Sequence, residues 1–250
     1  MIDLKGNKIT YLGHATFSLT TSSGQVAMID PFVMSNPACP ESLKKVPRLD
    51  VIFVSHAHGD HIGDLIPLAK QHKPKIAAIF ETCLWLNSKG FENETKPMGK
   101  GGTQQLGEYS VTMTHAFHSN SIHDGDKIIY AGEPAGLIIR MPGGLTIYHA
   151  GDTTVFGDMK LIGELYKPDL AMLPIGDHFT MGPREAAVAI RLLGVKQVIP
   201  MHYATFPPLT GTPEELRKEV KDIAGLEIHA LKPGESLGAG QSTSKRQAQA

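Results

Sequence analysis

The chain opens with short stretches in which apolar side chains alternate with polar ones: Lys8–Leu12, Thr16–Thr21 and Gln25–Ile29. A Ser23-Gly24 turn separates the second from the third, and a period of two broken by turn residues predicts a β-meander. Asp30-Pro31-Phe32 closes the third strand, and a loop carrying Pro37, Pro40 and Pro47 leads into Asp50-Val51-Ile52-Phe53-Val54-Ser55. That run is apolar without alternation, as a strand covered on both faces requires. The spacing turns helical over Ile62–Gln71, with Asp60 placed to cap the helix and Pro67 placed to kink it.

Lys75–Phe80 reads as a strand, Thr82–Lys89 as a short helix with Trp85 in the core, and Tyr109–Phe117 as a strand. Leu137–Met141 and Leu145–His149 flank Pro142-Gly143-Gly144, a hairpin signal. Strand and helix then alternate: strand Leu170–Pro174, helix Pro183–Leu193 stopped by Gly194, and strand Gln197–Met201. A helix opened by the capping box Thr212-Pro213-Glu214-Glu215 follows, and then strand Glu227–Leu231. After Leu237 no apolar period remains, which predicts one domain over residues 1–238 and a disordered tail over 239–250. Two β-rich halves, each with strands followed by helices, predict an α/β (α+β) chain with two sheets face to face and helices outside.

Composition narrows the function classes. At 250 residues, 41% hydrophobic and 20% charged, the chain is long enough to bury a core without disulfide or metal staples. The 24 Lys+Arg against 25 Asp+Glu leave a net charge of -1, so no whole-molecule attraction draws it to a polyanion. This argues against nucleic acid and for a small-molecule substrate. Cys39 and Cys83 make neither a disulfide framework nor a Cys-x-x-Cys motif. No apolar run approaches the ~18 residues of a membrane span, and Met1–Lys5 has no signal-peptide pattern, so a cytoplasmic location is expected.

One residue type stands out. The 12 His are about twice an ordinary share, and they cluster. Ser55-His56-Ala57-His58-Gly59-Asp60-His61 stands where a buried strand hands over to a helix. In an extended turn His56 and His58 project to the same side and can share one ion, while Asp60 and His61 face a second. Asp152, after strand Leu145–Tyr148, has two oxygens with which to bridge two ions, and His202, after Gln197–Met201, is a last ligand. His115 and His118 both close the strand Tyr109–Phe117. His118, beyond the strand in the turn His118-Ser119-Asn120, is the preferred ligand, with His115 as packing or substrate contact. His14, Asp30 and Thr153 are expected to orient ligands by hydrogen bonding, and His149 and His178 to line the pocket. His72, His123 and His229 read as surface or loop residues.

The order His-x-His-x-Asp-His, a single His, Gly-Asp-Thr and a late His after a strand resembles the metallo-β-lactamase superfamily of metal-dependent hydrolases, over residues 8 to about 237. Tyr11-Leu12-Gly13-His14-Ala15, Ile29-Asp30-Pro31-Phe32, Pro174-Ile175-Gly176, Thr180-Met181-Gly182-Pro183 and Pro200-Met201-His202-Tyr203 are similar to a branch of metal-dependent hydrolases related to ascorbate-6-phosphate lactonase-like proteins. The resemblance implies a four-layer αββα sandwich and two Zn2+ per chain, with Mn2+ or Fe as alternatives. His56, His58 and His118 would hold one ion, Asp60, His61 and His202 the other, and Asp152 both. Lactamases of this fold that use a Cys ligand carry it near Gly-Asp, whereas Cys39 and Cys83 lie elsewhere, which argues against antibiotic hydrolysis.

Two ions about 3.5–4 Å apart would bind one water, lower its pKa and present hydroxide to a lactone, ester, amide or phosphodiester. Asp60 would also act in catalysis by orienting that hydroxide. A mononuclear iron oxidoreductase similar to persulfide dioxygenases would leave one ligand set unused, and a noncatalytic metal-binding protein would have no need of an open hydroxide position.

Overall fold

A computed structural model describes residues 2–238, so the tail expected over 239–250 lies outside the described residues. The first sheet takes β1 (Lys8–Gly13), β2 (Thr16–Thr20), β3 (Val26–Ile29), β4 (Val51–Phe53), β5 (Lys75–Ile79) and β6 (Thr95–Met98) in sequence order. Short turns let β1 to β3 pair antiparallel, whereas β3 to β6 pair parallel through longer crossovers. The second sheet runs from β7 (Thr103–Leu106) and β8 (Tyr109–His115) to β11 (Ala135–Arg140), β12 (Thr146–His149), β13 (Leu170–Pro174), β14 (Gln197–Met201) and β15 (Glu227–Ile228). Between β8 and β11 the chain forms a separate hairpin of β9 (Ser121–Asp124) and β10 (Lys127–Tyr130). A last strand, β16 (Ser236–Gly238), returns to the first sheet beside β1.

Helices α1 (Gly59–Ile62), α2 (Leu65–His72) and α3 (Phe80–Ser88) belong to the crossovers of the first sheet. α4 (Met159–Tyr166), α5 (Pro183–Leu193) and α6 (Pro213–Glu219) follow β12, β13 and β14. Strand alternation decides which layer each side chain serves. Val51 and Phe53 of β4 point between the sheets, where they share one core with Tyr109, Val111, Ile147, Met172 and Ile199. Ile52 and Val54 point the other way, onto Leu65 and Leu68 of α2 and Cys83 and Leu86 of α3. On the second sheet Ile138, Tyr148, Leu173 and Val198 turn outward to Ile162, Ala186, Ile190 and Leu216 of α4 to α6. Three apolar layers separated by two seven-stranded sheets make the four-layer αββα sandwich. Among the described residues no helix is long and apolar enough to cross a membrane.

The helix expected over Ile62–Gln71 is two helices. Gly63 keeps helical angles, and the chain leaves the helix at Asp64, with φ -110° and ψ 10°, before α2 begins. Asp60 does not cap a helix; it lies within α1, whose N-terminal flank is His58. Asp64 precedes α2, but its carboxylate accepts the backbone N–H groups of Val33 and Met34 and the hydroxyl of Ser35, pinning the Pro-rich loop. Pro67 falls in the first turn of α2, where its missing N–H had no helical partner, so it introduces no break.

The fold positions a site because consecutive parallel strands end at the same edge of a sheet. Asp30 follows β3, Ser55 and His56 follow β4, Asp152 follows β12 and His202 follows β14.

Candidate metal centre

Three of the residues at this edge hold an unusual backbone. His14 in the β1–β2 turn, Asp30 and His202 have φ of 59°, 48° and 55°, the left-handed region that non-glycine residues enter at a cost. The conformation turns their side chains inward at strand ends, and the backbone N–H of His202 donates to the His14 carbonyl at 2.8 Å. Gly176 lets the loop after β13 lie directly on His202, since a Cβ there would collide with the His202 carbonyl oxygen.

The side chains converge in two groups, besides the buried set of Asp30, His56 and His61, whose ligating atoms also lie within 4.8 Å of one another. The ligating atoms of His56, His58 and His118 lie within 4.8 Å of one another, and so do those of His14, Asp60, His61 and His202. His56 Nε2 and His58 Nδ1 are 3.1 Å apart, near the spacing that a tetrahedral ion with ligands at about 2.0–2.1 Å imposes. Asp152 stands between the groups. Its Oδ2 is 3.0 Å from His202 Nε2, 3.3 Å from His61 Nε2, 3.8 Å from His118 Nε2 and 3.9 Å from His56 Nε2. Asp60 Oδ2 is 3.0 Å from His14 Nε2 and 3.8 Å from His202 Nε2.

Several of these atoms are buried without hydrogen-bond partners: His61 Nε2, both ring nitrogens of His202, and Asp152 Oδ1. A buried polar atom left unpaired costs about 1–3 kcal/mol. Imidazole nitrogens and carboxylate oxygens are the donor set of divalent zinc, manganese and iron, so the residues present fit such ions.

A second layer of hydrogen bonds aims the imidazoles. The buried Asp30 accepts the Ser55 backbone N–H at 2.7 Å and the Ser55 hydroxyl at 2.6 Å, and its Oδ2 is 2.8 Å from His61 Nδ1. Ser55 gives its single hydroxyl proton to Asp30, so its oxygen accepts from His56 Nδ1 at 3.1 Å. Both rings thus commit Nδ1 to these oxygens and turn Nε2 toward Asp152. His14 spans Asp60 and Thr205, with Nδ1 3.0 Å from Thr205 Oγ1.

Protonation follows from the same contacts. Burial pushes His14 down to about 4, although the Asp60 hydrogen bond opposes it. Burial likewise holds His56, His58 and His118 below the usual imidazole range, in the neutral form that binds metal. His61 is raised: burial opposes its charge, but Asp152 and Asp30 outweigh burial. For Asp60 and Asp152 burial favours the neutral acid, yet the surrounding histidines hold both carboxyls below their ordinary range.

The structure brings together His56, His58, Asp60, His61, His118, Asp152 and His202. His115 stays apart at the end of β8, where its Nδ1 accepts from Lys100 at 2.8 Å, and Lys100 also donates to Glu133 at 2.7 Å. Asp30 lies where it can orient an imidazole, whereas His14 contacts the Asp60 carboxylate instead. His149 does not line a pocket. It is buried, with Nε2 2.9 Å from the Ala15 carbonyl and Nδ1 accepting the Gly151 N–H at 3.1 Å, so its ring ties the two sheets together. Thr153 does not touch an imidazole; it accepts the Phe117 N–H at 3.0 Å and holds the loop that carries His118. His178 is exposed beside Asp177. Ser55, Thr205 and Asn120 were not singled out from the sequence. Ser55 had one signal, its place beside His56. Asn120 accepts the Ala57 N–H at 2.7 Å across the fold, which no local pattern announces.

Residues 26–203 match the family described as the β-lactamase superfamily domain. The chain is 52% identical over 235 residues to a UPF0173 metal-dependent hydrolase of Koribacter versatilis, covering 94% of this chain and 99% of that protein. It is 54% identical over 238 residues to a UPF0173 metal-dependent hydrolase of Rubrobacter xylanophilus, covering 94% and 98%. Among solved structures it is similar to Igni18, a metallo hydrolase of the hyperthermophilic archaeon Ignicoccus hospitalis, with a TM-score of 0.81, 35% identity and coverage of 92% and 97%.

Proposed function

We propose that this chain, which belongs to the metallo-β-lactamase superfamily and within it to the UPF0173 metal-dependent hydrolases, cleaves a small-molecule lactone, ester, amide or phosphodiester at a dinuclear zinc centre, with manganese or iron as alternative metals. The observation that carries this is the position of Asp152 between two histidine groups whose buried ring nitrogens include unpaired ones. His56, His58 and His118 would hold one ion, Asp60, His61 and His202 the other, and Asp152 would serve both. Divalent ions held there supply Lewis acidity toward a carbonyl or phosphoryl oxygen and acidify water at neutral pH.

The chain's own groups supply the rest. The Asp60 side chain is a third exposed and is kept ionised by His14 and His61, so it reaches solvent as a carboxylate able to take a proton from attacking water. Asp30 and Ser55 fix the ring orientations of His61 and His56, and Thr153 and Asn120 fix the loops on either side. Residues 1–238 would act as one hydrolase domain in the cytoplasm.

The test is to strip the protein with a chelator, reload it with Zn2+, Mn2+ or Fe2+, and assay chromogenic esters, lactones and phosphodiesters. Turnover should require metal, and Asp60→Asn should lower kcat by on the order of 10²-fold or more. Turnover that survives chelation would overturn the proposal.

A further inference from the structure

We infer that this site selects a substrate with an apolar acyl or aryl group and no charge remote from the scissile bond, seated on exposed apolar side chains around the metal cluster, a choice that presupposes the hydrolase function proposed above. Met34, Phe117 and Phe179 are 39%, 52% and 58% exposed, on three separate loops. Each loop is tied to the site. The Met34 N–H donates to Asp64, just beyond α1, which carries Asp60 and His61. Phe117 precedes His118, its N–H is held by Thr153, next to Asp152, and its ring packs on those of His115 and Phe156, with centroids 4.4 and 5.3 Å apart. Phe179 lies in the loop whose Met181 N–H donates to the Thr153 carbonyl at 3.2 Å. The half-buried Phe206 adds to them from the loop after His202, its ring centroid 5.5 Å from that of His14. Exposed aromatic rings lose apolar hydration when covered, so a rim of them favours an apolar occupant.

Backbone strain supports the display of Phe179. Asp177 and His178 both have positive φ, 64° and 57°, two consecutive non-glycine residues in the left-handed region immediately before it. Strain of this kind persists only where the surroundings enforce it and gathers at ligand sites.

Charge points the same way. The segments that carry the ligands and these apolar residues, 30–36, 55–61, 116–122, 150–158, 175–182 and 202–211, contain no Lys or Arg, while Asp158 and Asp177 add carboxylates to those of Asp30, Asp60 and Asp152. Among the described residues the ion-pair partners of Asp60 and Asp152 are histidines. Lys100, at His115, is already paired with Glu133. The N-terminus of α5, a natural place for an anion, has the side chains of Glu185 and Asp177 at Gly182. A remote phosphate or carboxylate on the substrate would therefore meet carboxylates and aromatic rings and no free cation from these segments. This separates the chain from the phosphosugar substrate that a likeness to ascorbate-6-phosphate lactonases would imply.

The probes are acetohydroxamate, hexanohydroxamate and adipic acid monohydroxamate, which share a metal-binding head and differ in the tail. Isothermal titration calorimetry would be run on metal-loaded and chelator-stripped protein. Hexanohydroxamate should bind the loaded protein at least roughly tenfold tighter than acetohydroxamate, as burial of two or more methylenes gives. The terminal carboxylate of the adipic probe should abolish that gain, and Phe117→Ser and Phe179→Ser should each shrink it severalfold. Equal affinities, tightest binding of the carboxylate-ended probe, or no binding would overturn the inference. Failure of the hydrolase function is a different result: the preference for the longer apolar tail would persist with the same affinities after chelation.

Discussion

Asp30 Oδ2 lies 2.8 Å from His61 Nδ1, with both side chains fully buried, and the same carboxylate accepts the Ser55 hydroxyl that orients His56. One carboxylate therefore governs a histidine in each half of the proposed centre. Asp30→Asn keeps the volume and removes the charge, and it should weaken metal affinity by about 10–100-fold. Competition with a chromogenic chelator would measure this, and unchanged affinity would refute the orienting role.

His14 acts on the other carboxylate. Its Nε2 is 3.0 Å from Asp60 Oδ2 and its Nδ1 is held by Thr205. His14→Ala should lower the affinity of one of two bound ions by about 10–100-fold and leave the other nearly unaffected, giving a biphasic metal titration. A single unaltered phase would count against this contact as a support for Asp60.

His149 is a control, because its ring bonds backbone groups of both sheets and not the cluster. His149→Ala leaves the Ala15 carbonyl and the Gly151 N–H without partners and opens a cavity. It should cost about 2–4 kcal/mol of stability in urea unfolding while leaving metal content unchanged. Loss of metal without loss of stability would place it in the centre instead.

Acid should destabilise the metal-free protein. Burial holds His14 at about 4 against an ordinary 6.5, and also lowers His56, His58, His118 and His149. Below about pH 6.5 the unfolded chain binds protons that the folded chain refuses, so stability present at neutral pH is lost as pH falls toward about 4. The lowered Asp60 and Asp152 extend that loss below the ordinary carboxylate value of 3.8. His61, raised by Asp152 and Asp30, has the opposite sign, and its contribution fades as pH rises. Seven lowered histidines, with His115 and His229 lowered by burial as well, against one raised set the direction. Urea midpoints of chelated protein at pH 7.5, 6, 5 and 4 should fall in that order, and a rise on acidification would contradict it.

Much of this architecture was legible in the chain. The unbroken apolar run at Val51–Val54 is one because its two faces meet different cores, Val51 and Phe53 inside and Ile52 and Val54 beneath the helices. The Thr212–Glu215 capping box forms both of its hydrogen bonds, and Gly194 ends α5 at φ 67°. β7 and β9, with sequences TQQL and SIHD, have too little apolar alternation to be seen, and β16 exists only because β1 offers it an edge. The break between α1 and α2 falls at Asp64, whose carboxylate is engaged by the backbone of Val33 and Met34, 31 and 30 residues earlier, which no local window contains. At the site, His and Asp announce themselves because few other side chains bind metals. Ser55, Thr205 and Asn120 are ordinary polar residues whose roles arise only from partners that the fold supplies.

The most direct test of the dinuclear centre is metal content by plasma mass spectrometry on protein purified without chelator, for the native chain and for His118→Ala and His115→Ala. The native chain and His115→Ala should carry about two ions each, and His118→Ala should carry clearly fewer. One ion per native chain, or a loss caused by His115→Ala and not by His118→Ala, would contradict the account.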